Sequence, residues 1–524
     1  MRAIARLSAH VGLLASLLVG APSSARLPDR DARLKRLADA ITEIDVAQAE
    51  RLLSGLDSNA PEVAFESARL AIYRGDCGLA RVILARPDLA ETREGSELKN
   101  YAEGCARATA AGFVVEDAKR GIWLRVQDAH DRALAPLLFD VAARARDAIT
   151  RQVGVDLPKP LRIDLVRDLF SLSAVSGLPL SAAETTGTLA VARWGKVILL
   201  SPRAAAHGFP WEDTLAHEIT HLVVTRATRD HAPLWLQEGM AKRLETSWRE
   251  PQPLDEPGWA EALAVRAFKE GRSVGIDKLG ASIAMLPTPE AASIAFAEVT
   301  SFVEYFVRQA GEPALRLLFA DLRGVRSPDQ ALTSVTGYPL PIWNQRWQAA
   351  LGQIPETPER SPFVVEHARD VARRAVLSDL LLQRGHAVAA LMEVEPTVTV
   401  PTRPGASARA TAAAPQRDPQ LRHRAARAAL LAGDGDRAAA LLGTESEIAS
   451  VHGPWFGVRG RLLRQHGDGV GAERAWSLGI AADPFAQETA CEGQYSRTES
   501  PPETLPTDPT RHELCLSTRQ RPRD

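Results

Sequence analysis

The pentad His217-Glu218-Ile219-Thr220-His221 limits what this chain can fold into more than any other feature. It lies in the stretch Trp211 to Val224, where Leu215, Ile219, Leu222 and Val223 suit a helix packed on a core. Pro210, followed by the acids Glu212 and Asp213, suits the start of that helix. Residues four apart share one helix face, so the two imidazoles can converge on a single zinc ion. Glu218, beside the first of them, can reach a water on that metal and take its proton. The segment must therefore bury one face and leave the other lining a site, and a third protein donor must arrive from elsewhere.

A donor of the right type follows. Pro233-Leu234-Trp235-Leu236-Gln237-Glu238-Gly239-Met240-Ala241 reads as the start of a second helix and places a carboxylate 17 residues after His221. Glu238 can complete a site of two histidines and one glutamate, and Glu245, one to two turns further on, is the alternative acid. Together the two segments resemble the gluzincin metallopeptidases of the peptidase MA-like family, in which the helix bearing the two histidines is followed by a Trp-Leu-x-Glu-Gly-x-Ala helix. The resemblance implies His217, His221 and Glu238 as ligands of one zinc ion and Glu218 as general base. It implies small residues at Gly239 and Ala241 because the histidine helix and the Glu238 helix must approach each other closely, and hydrolysis of peptide bonds by a zinc-activated water. It extends over about Phe113 to Leu351, including Ser301 to Tyr305 and Trp343 to Trp347. The family often carries a tyrosine where this chain has Phe296, so the oxyanion-stabilising role is unassigned, and His231 reads as a solvated loop residue.

Around the pentad the expected fold is α+β and zincin-like: a mixed sheet plus zinc-binding helices, flanked by mainly helical segments that resemble tetratricopeptide pairs. Gly121 to Val126 and Leu161 to Val166 read as strands, and Ala133 to Val153 reads as an amphipathic helix between them. Thr188 to Val191 and Lys196 to Leu200 read as a hairpin about Trp194-Gly195, whose edge either offers a peptide a strand to pair with or is covered by another loop. Outside this domain a small motif recurs: Gly75-Asp76 with Ala80, Gly385-His386 with Ala390, Gly433-Asp434 with Ala438, and Gly467-Asp468 with Ala472. The last two copies are 34 residues apart, a tetratricopeptide period. The expected organisation is a signal peptide at 1–25, a helical domain at 26–112, the peptidase domain at 113–355 and a helical hairpin at 356–394. A proline-, alanine- and threonine-rich linker at 395–419, repeats at 420–490 and an irregular tail at 491–524 follow.

Arg2 and Arg6 ahead of the apolar run Val11 to Gly20, which ends in small residues up to Ala25, form a secretory signal pattern, with an uncleaved anchor as the alternative. That run is too short for a bilayer span of about 20 residues, and no comparable run follows. The expected location is periplasmic or extracellular. In such a compartment Cys77 with Cys105 and Cys491 with Cys515 are the natural pairs because they close short loops, although three connectivities, or free thiols, fit the sequence. Lysine plus arginine at 63 against aspartate plus glutamate at 65 leaves no basic excess for a nucleic-acid partner. The expected partner is a peptide or protein substrate, with a protein partner on the helical repeats as a further one. The competing reading is a non-catalytic repeat scaffold that retains a zincin domain.

Overall fold

The computed structural model describes residues 27–519 except 205–208, 252–257, 325, 356–367, 399–418, 444–452 and 492–508. The signal-like residues 1–25 and most of the linker lie outside the described residues.

At the centre is a five-stranded sheet: β1 (Phe113–Asp117), β2 (Ile122–Val126), β3 (Leu161–Val166), β4 (Ala190–Arg193) and β5 (Lys196–Leu200), in the order β1-β2-β3-β5-β4. β2, β3 and β5 run parallel, and hairpins add β1 and β4 antiparallel at the two edges. The pleat sorts the side chains into two faces. Ile122, Leu124, Ile163, Leu165, Val197 and Leu199 point to one side, into the main core, where the helices Ala135–Val153 and Trp211–Thr228 pack. β1 has no strand signal beyond a change of pattern at Phe113; its alternating half-buried and exposed residues mark a one-sided edge strand. β4 begins two residues later than Thr188, and a 3-10 turn, Ala129–Leu134, precedes the helix at Ala135.

The opposite face is polar at its centre. Asp164 of β3 receives two hydrogen bonds from Arg125 of β2 (2.6 and 2.9 Å) and pairs with Lys196 of β5 at 2.7 Å, all three buried. Burial opposes ionising Asp164, but the two cations hold its carboxyl below the usual range. Arg125 also donates to the Gly75 carbonyl at 2.6 Å, because the N-terminal helices (Leu27–Thr42, Val46–Leu53, Pro61–Tyr73, Cys77–Leu84, Pro87–Ala90 and Arg93–Thr109) cover this face. Cys77 and Cys105 form a disulfide that packs with Val166, Leu172, Val175, Ile198 and Leu200.

Six C-terminal helices (Ala368–Gln383, Ala387–Val398, Pro419–Leu431, Gly435–Leu442, Gly453–Gln465 and Gly469–Ala482) follow as pairs, and the first five share a separate core. Gly75, Gly385, Gly433 and Gly467 all have φ between +81° and +88°, a left-handed turn that a side chain would oppose. Asp76, Asp434 and Asp468 then cap the next helix by accepting from the backbone N–H three residues on. Two boundaries differ from expectation. The helix at Ala387 runs to Val398, into the proposed linker. The tail is not wholly irregular: past its prolines, Pro509–Arg519 is a helix that buries Leu514 and Cys515, and Cys515 bonds Cys491. Phe485, Cys491, Leu514 and Cys515 belong to the main core, so this end of the chain folds back onto the sheet domain.

Candidate metal centre

The helix Trp211–Thr228 buries Trp211, Leu215, Ala216, Ile219, Leu222 and Val223 completely or nearly so. That face fixes its rotation and turns His217 and His221 towards the helix Leu234–Leu244. Its first turn is held by Asp213, which accepts from Arg249 (2.9 and 2.7 Å) and from Trp248 Nε1 (3.1 Å). Its last turn ends at Arg229, whose φ is +52°.

The three donor atoms form a nearly equilateral triangle. His217 Nε2 lies 3.2 Å from His221 Nε2, and each nitrogen lies 3.5 Å from Glu238 Oε2. A tetrahedral centre with bonds of about 2.0–2.1 Å places its ligand atoms about 3.3–3.4 Å apart, so this triangle fits one zinc-sized cation. Glu245, in contrast, sits behind the site, its Oε2 3.1 Å from His217 Nδ1. Gln237 Oε1 is 3.2 Å from His221 Nδ1. Each ring thus has one nitrogen at the triangle and the other at an oxygen acceptor, which fixes its orientation and tautomer. Lys242 Nζ steadies Glu245 at 2.6 Å, and Thr225 Oγ1 accepts from Gln237 at 3.3 Å.

The electrostatics agree. Burial disfavours an imidazolium at His217, yet the bonds to Glu238 and Glu245 raise its pKa to about 10. At His221, too, the carboxylates outweigh burial and raise the pKa. Against the same burial, the two histidines hold Glu238 well below the usual carboxylate range. A pocket that draws positive charge onto two half-buried rings favours a divalent cation at the same point. Glu218 has an oxygen within 4.8 Å of both histidine donors, and burial raises its pKa. The Ala192 backbone N–H of β4 lies close enough to Glu218 to offset part of that burial, so the sheet edge lies over the site. This outward N–H follows from the hairpin: Arg193 and Lys196 close a two-residue turn as a bonded pair, which turns the Ala192 N–H and C=O away from β5.

Residues 145–353 match the Peptidase MA superfamily. No curated protein and no solved structure matches the chain. The match contains the pentad, Glu238, β3 to β5 and the helices beyond, and supports a zincin-like peptidase of a superfamily that is generally zinc-dependent. β1 and β2 lie outside the match, as do both helical flanks, although β2 is hydrogen-bonded to β3 within the sheet.

Within the matched residues the Glu238 helix rests on the long helix Pro289–Ala310. Gly239 is small for that contact: a Cβ there would come within 2.4 Å of Val303 Cγ2 and 2.7 Å of the Val299 carbonyl oxygen. Trp235, Phe302 and Trp347 stack edge to face behind it, and Trp347 Nε1 donates to Ser301 Oγ at 3.1 Å, which accounts for the aromatic and serine positions noted in the sequence. Phe296 projects from the same long helix against His217, ring centroids 6.3 Å apart. It brings no polar atom to the site. His231 is exposed and faces the Thr228 carbonyl at 3.0 Å, outside the triangle. Sequence reasoning missed Gln237 as a partner of His221 and assigned Glu245 only as a spare ligand. The available signal was helical: Gln237 flanks Glu238, and Glu245 lies seven residues, about two turns, beyond Glu238 on one face.

Proposed function

We propose that residues 113–355 form an exported zinc-dependent peptidase in which His217, His221 and Glu238 hold the ion and Glu218 is the general base. The single observation that carries this reading is the triangle of three half-buried donors at 3.2 to 3.5 Å, with a fourth, buried carboxylate beside it. When bound, zinc supplies a Lewis acid that lowers the pKa of water to about 7 and polarises a carbonyl. The chain's own residues do the rest. Glu218, with a pKa raised by burial, takes the proton of the attacking water and passes it to the leaving nitrogen. Glu245 and Gln237 keep the two rings aimed. No further strand pairs with β4 among the described residues, so an extended peptide can add along it and bring its scissile bond over Glu218.

Export is supported by the N-terminal signal pattern and by the pairing of all four cysteines, which suits an oxidising compartment. Among the described residues no helix is long and apolar enough to cross a membrane. The test is cleavage of a mixed quenched-fluorescent peptide library by the purified chain. Hydrolysis that a chelator abolishes and added zinc restores is expected; metal-independent hydrolysis would rule the reading out.

A further inference from the structure

Trp194 occupies a backbone position that does not suit it. With Gly195 it forms the β4–β5 turn, and both residues have positive φ, +56° and +68°. A two-residue turn of this kind prefers Asn-Gly or Gly-Gly, and a bulky side chain there is an outlier. Something other than turn chemistry must therefore hold the indole in place.

What holds it comes from the N-terminal helices, outside the peptidase MA match. The Trp194 ring lies against Tyr101 of the helix Arg93–Thr109, centroids 4.8 Å apart, and edge-on to Tyr73 of the helix Pro61–Tyr73 at 6.3 Å. Arg193 lies over the ring as well, 5.1 Å from its centroid, and donates to the Ser176 carbonyl at 3.1 Å. Tyr101 is itself anchored by its hydroxyl, which donates to the Val175 carbonyl at 2.7 Å. The adjoining residue has no room either: a Cβ on Gly195 would meet Tyr73 Cδ1 at 2.5 Å. Trp194 Nε1 is buried without a hydrogen-bond partner, so the contact is one of ring packing.

The turn is two residues from Ala192, about 7 Å along a strand. Ala192 is the residue whose N–H and carbonyl both face the open edge, with Glu218 close enough to feel that N–H. The same N-terminal unit grips the other end of the site. Glu43 pairs with Arg229 at 2.5 Å and Arg323 at 2.7 Å, and its carbonyl accepts from Arg226 at 2.5 Å, at the C-terminal end of the His217 helix.

We propose that Trp194 is a positioning residue for substrate: by gripping its ring, the N-terminal helices fix the edge strand β4 over Glu218 and set the register in which a peptide is bound. The proposal rests on the peptidase reading for its kinetic effect but not for its structural one. Trp194→Asn separates turn from grip, because asparagine suits the left-handed position while removing the ring. In the full-length protein it is expected to keep stoichiometric zinc and to lose about 10- to 100-fold in kcat/KM on a library-selected peptide, carried mainly by KM. Hydrogen exchange of the 190–193 amides is expected to accelerate in the same variant, whether or not any peptide is cleaved. Tyr101→Leu, which leaves the hairpin sequence intact, is expected to give the same KM rise and the same faster exchange, and the double variant no more than the larger single effect. KM and kcat within twofold of wild type, or unchanged exchange at 190–193 in whichever of the two variants folds, would overturn the proposal. A wild-type protein that cleaves nothing, with exchange nonetheless accelerated in the variants, refutes the peptidase reading and leaves the grip standing.

Discussion

Gly239→Ala adds one methyl group and alters no donor atom, yet it should weaken the metal site. The new Cβ would stand 2.7 Å from the Val299 carbonyl oxygen and 2.4 Å from Val303 Cγ2. Valine can rotate, but a backbone oxygen inside a helix cannot, so that distance must open from 2.7 Å to between 3.0 and 3.4 Å. The Glu238 helix therefore moves by about 0.3–0.7 Å against the long helix, and such overpacking costs about 1–3 kcal/mol. For a domain of this size that is a fall in Tm of about 2 to 12 °C. Glu238 precedes the glycine and moves with it, while both histidines stay on a helix anchored by other contacts. Donor sites tolerate about 0.5 Å of misplacement, so zinc affinity should fall by about 10- to 100-fold, the scale of a lost orienting contact. The assay is thermal unfolding with and without zinc, together with competition against a chromophoric chelator. A variant with Tm within 1 °C of wild type by differential scanning calorimetry and an unchanged zinc Kd would refute the argument that this helix contact sets the triangle.

Glu245→Gln should keep the fold but weaken zinc binding by about 10- to 100-fold, measured by the same competition, because a neutral amide no longer balances His217. Asp131 is fully buried and only 3.0 Å from Arg203 Nε, yet burial still raises its pKa to about 6. The folded protein therefore retains a proton that the unfolded chain loses near pH 4, and this costs stability that grows as pH rises from about 4 to 6. Asp131→Asn should stabilise by about 3 kcal/mol at pH 8 and hardly at all at pH 4 in urea titrations; an equal effect at both would sink the assignment. Reducing the disulfides, which span 28 and 24 residues, should cost about 3 to 4 kcal/mol each by loop entropy, read as a reductant-dependent fall in Tm.

The metal triangle was legible because each half is local: His217 and His221 are one helical turn apart, and Glu238 lies in a short signature of its own. The cysteine pairing was legible for a similar reason, since short loops favour neighbours. β3 could be read to its ends because its apolar residues continue where a parallel strand is buried on both sides, although Asp164 within it needed the structure to find Arg125 and Lys196. Orientation was out of reach. That Gly239 faces Val299 rather than the histidine helix, or that Glu245 faces the back of His217, depends on helix rotation, which tertiary packing decides. The contact of Tyr73 and Tyr101 with Trp194 joins residues about 90 or more positions apart and leaves no periodic trace.

The central claim divides holding the ion from moving the proton, and Glu218→Gln tests that division most directly. Glutamine keeps the size of the side chain but cannot accept a proton from water. Zinc content by elemental analysis should stay at one ion per chain while peptide hydrolysis falls by about 10²- to 10⁴-fold. Loss of zinc in step with activity would make Glu218 a ligand or a structural residue, and unchanged hydrolysis would place the chemistry elsewhere in the molecule.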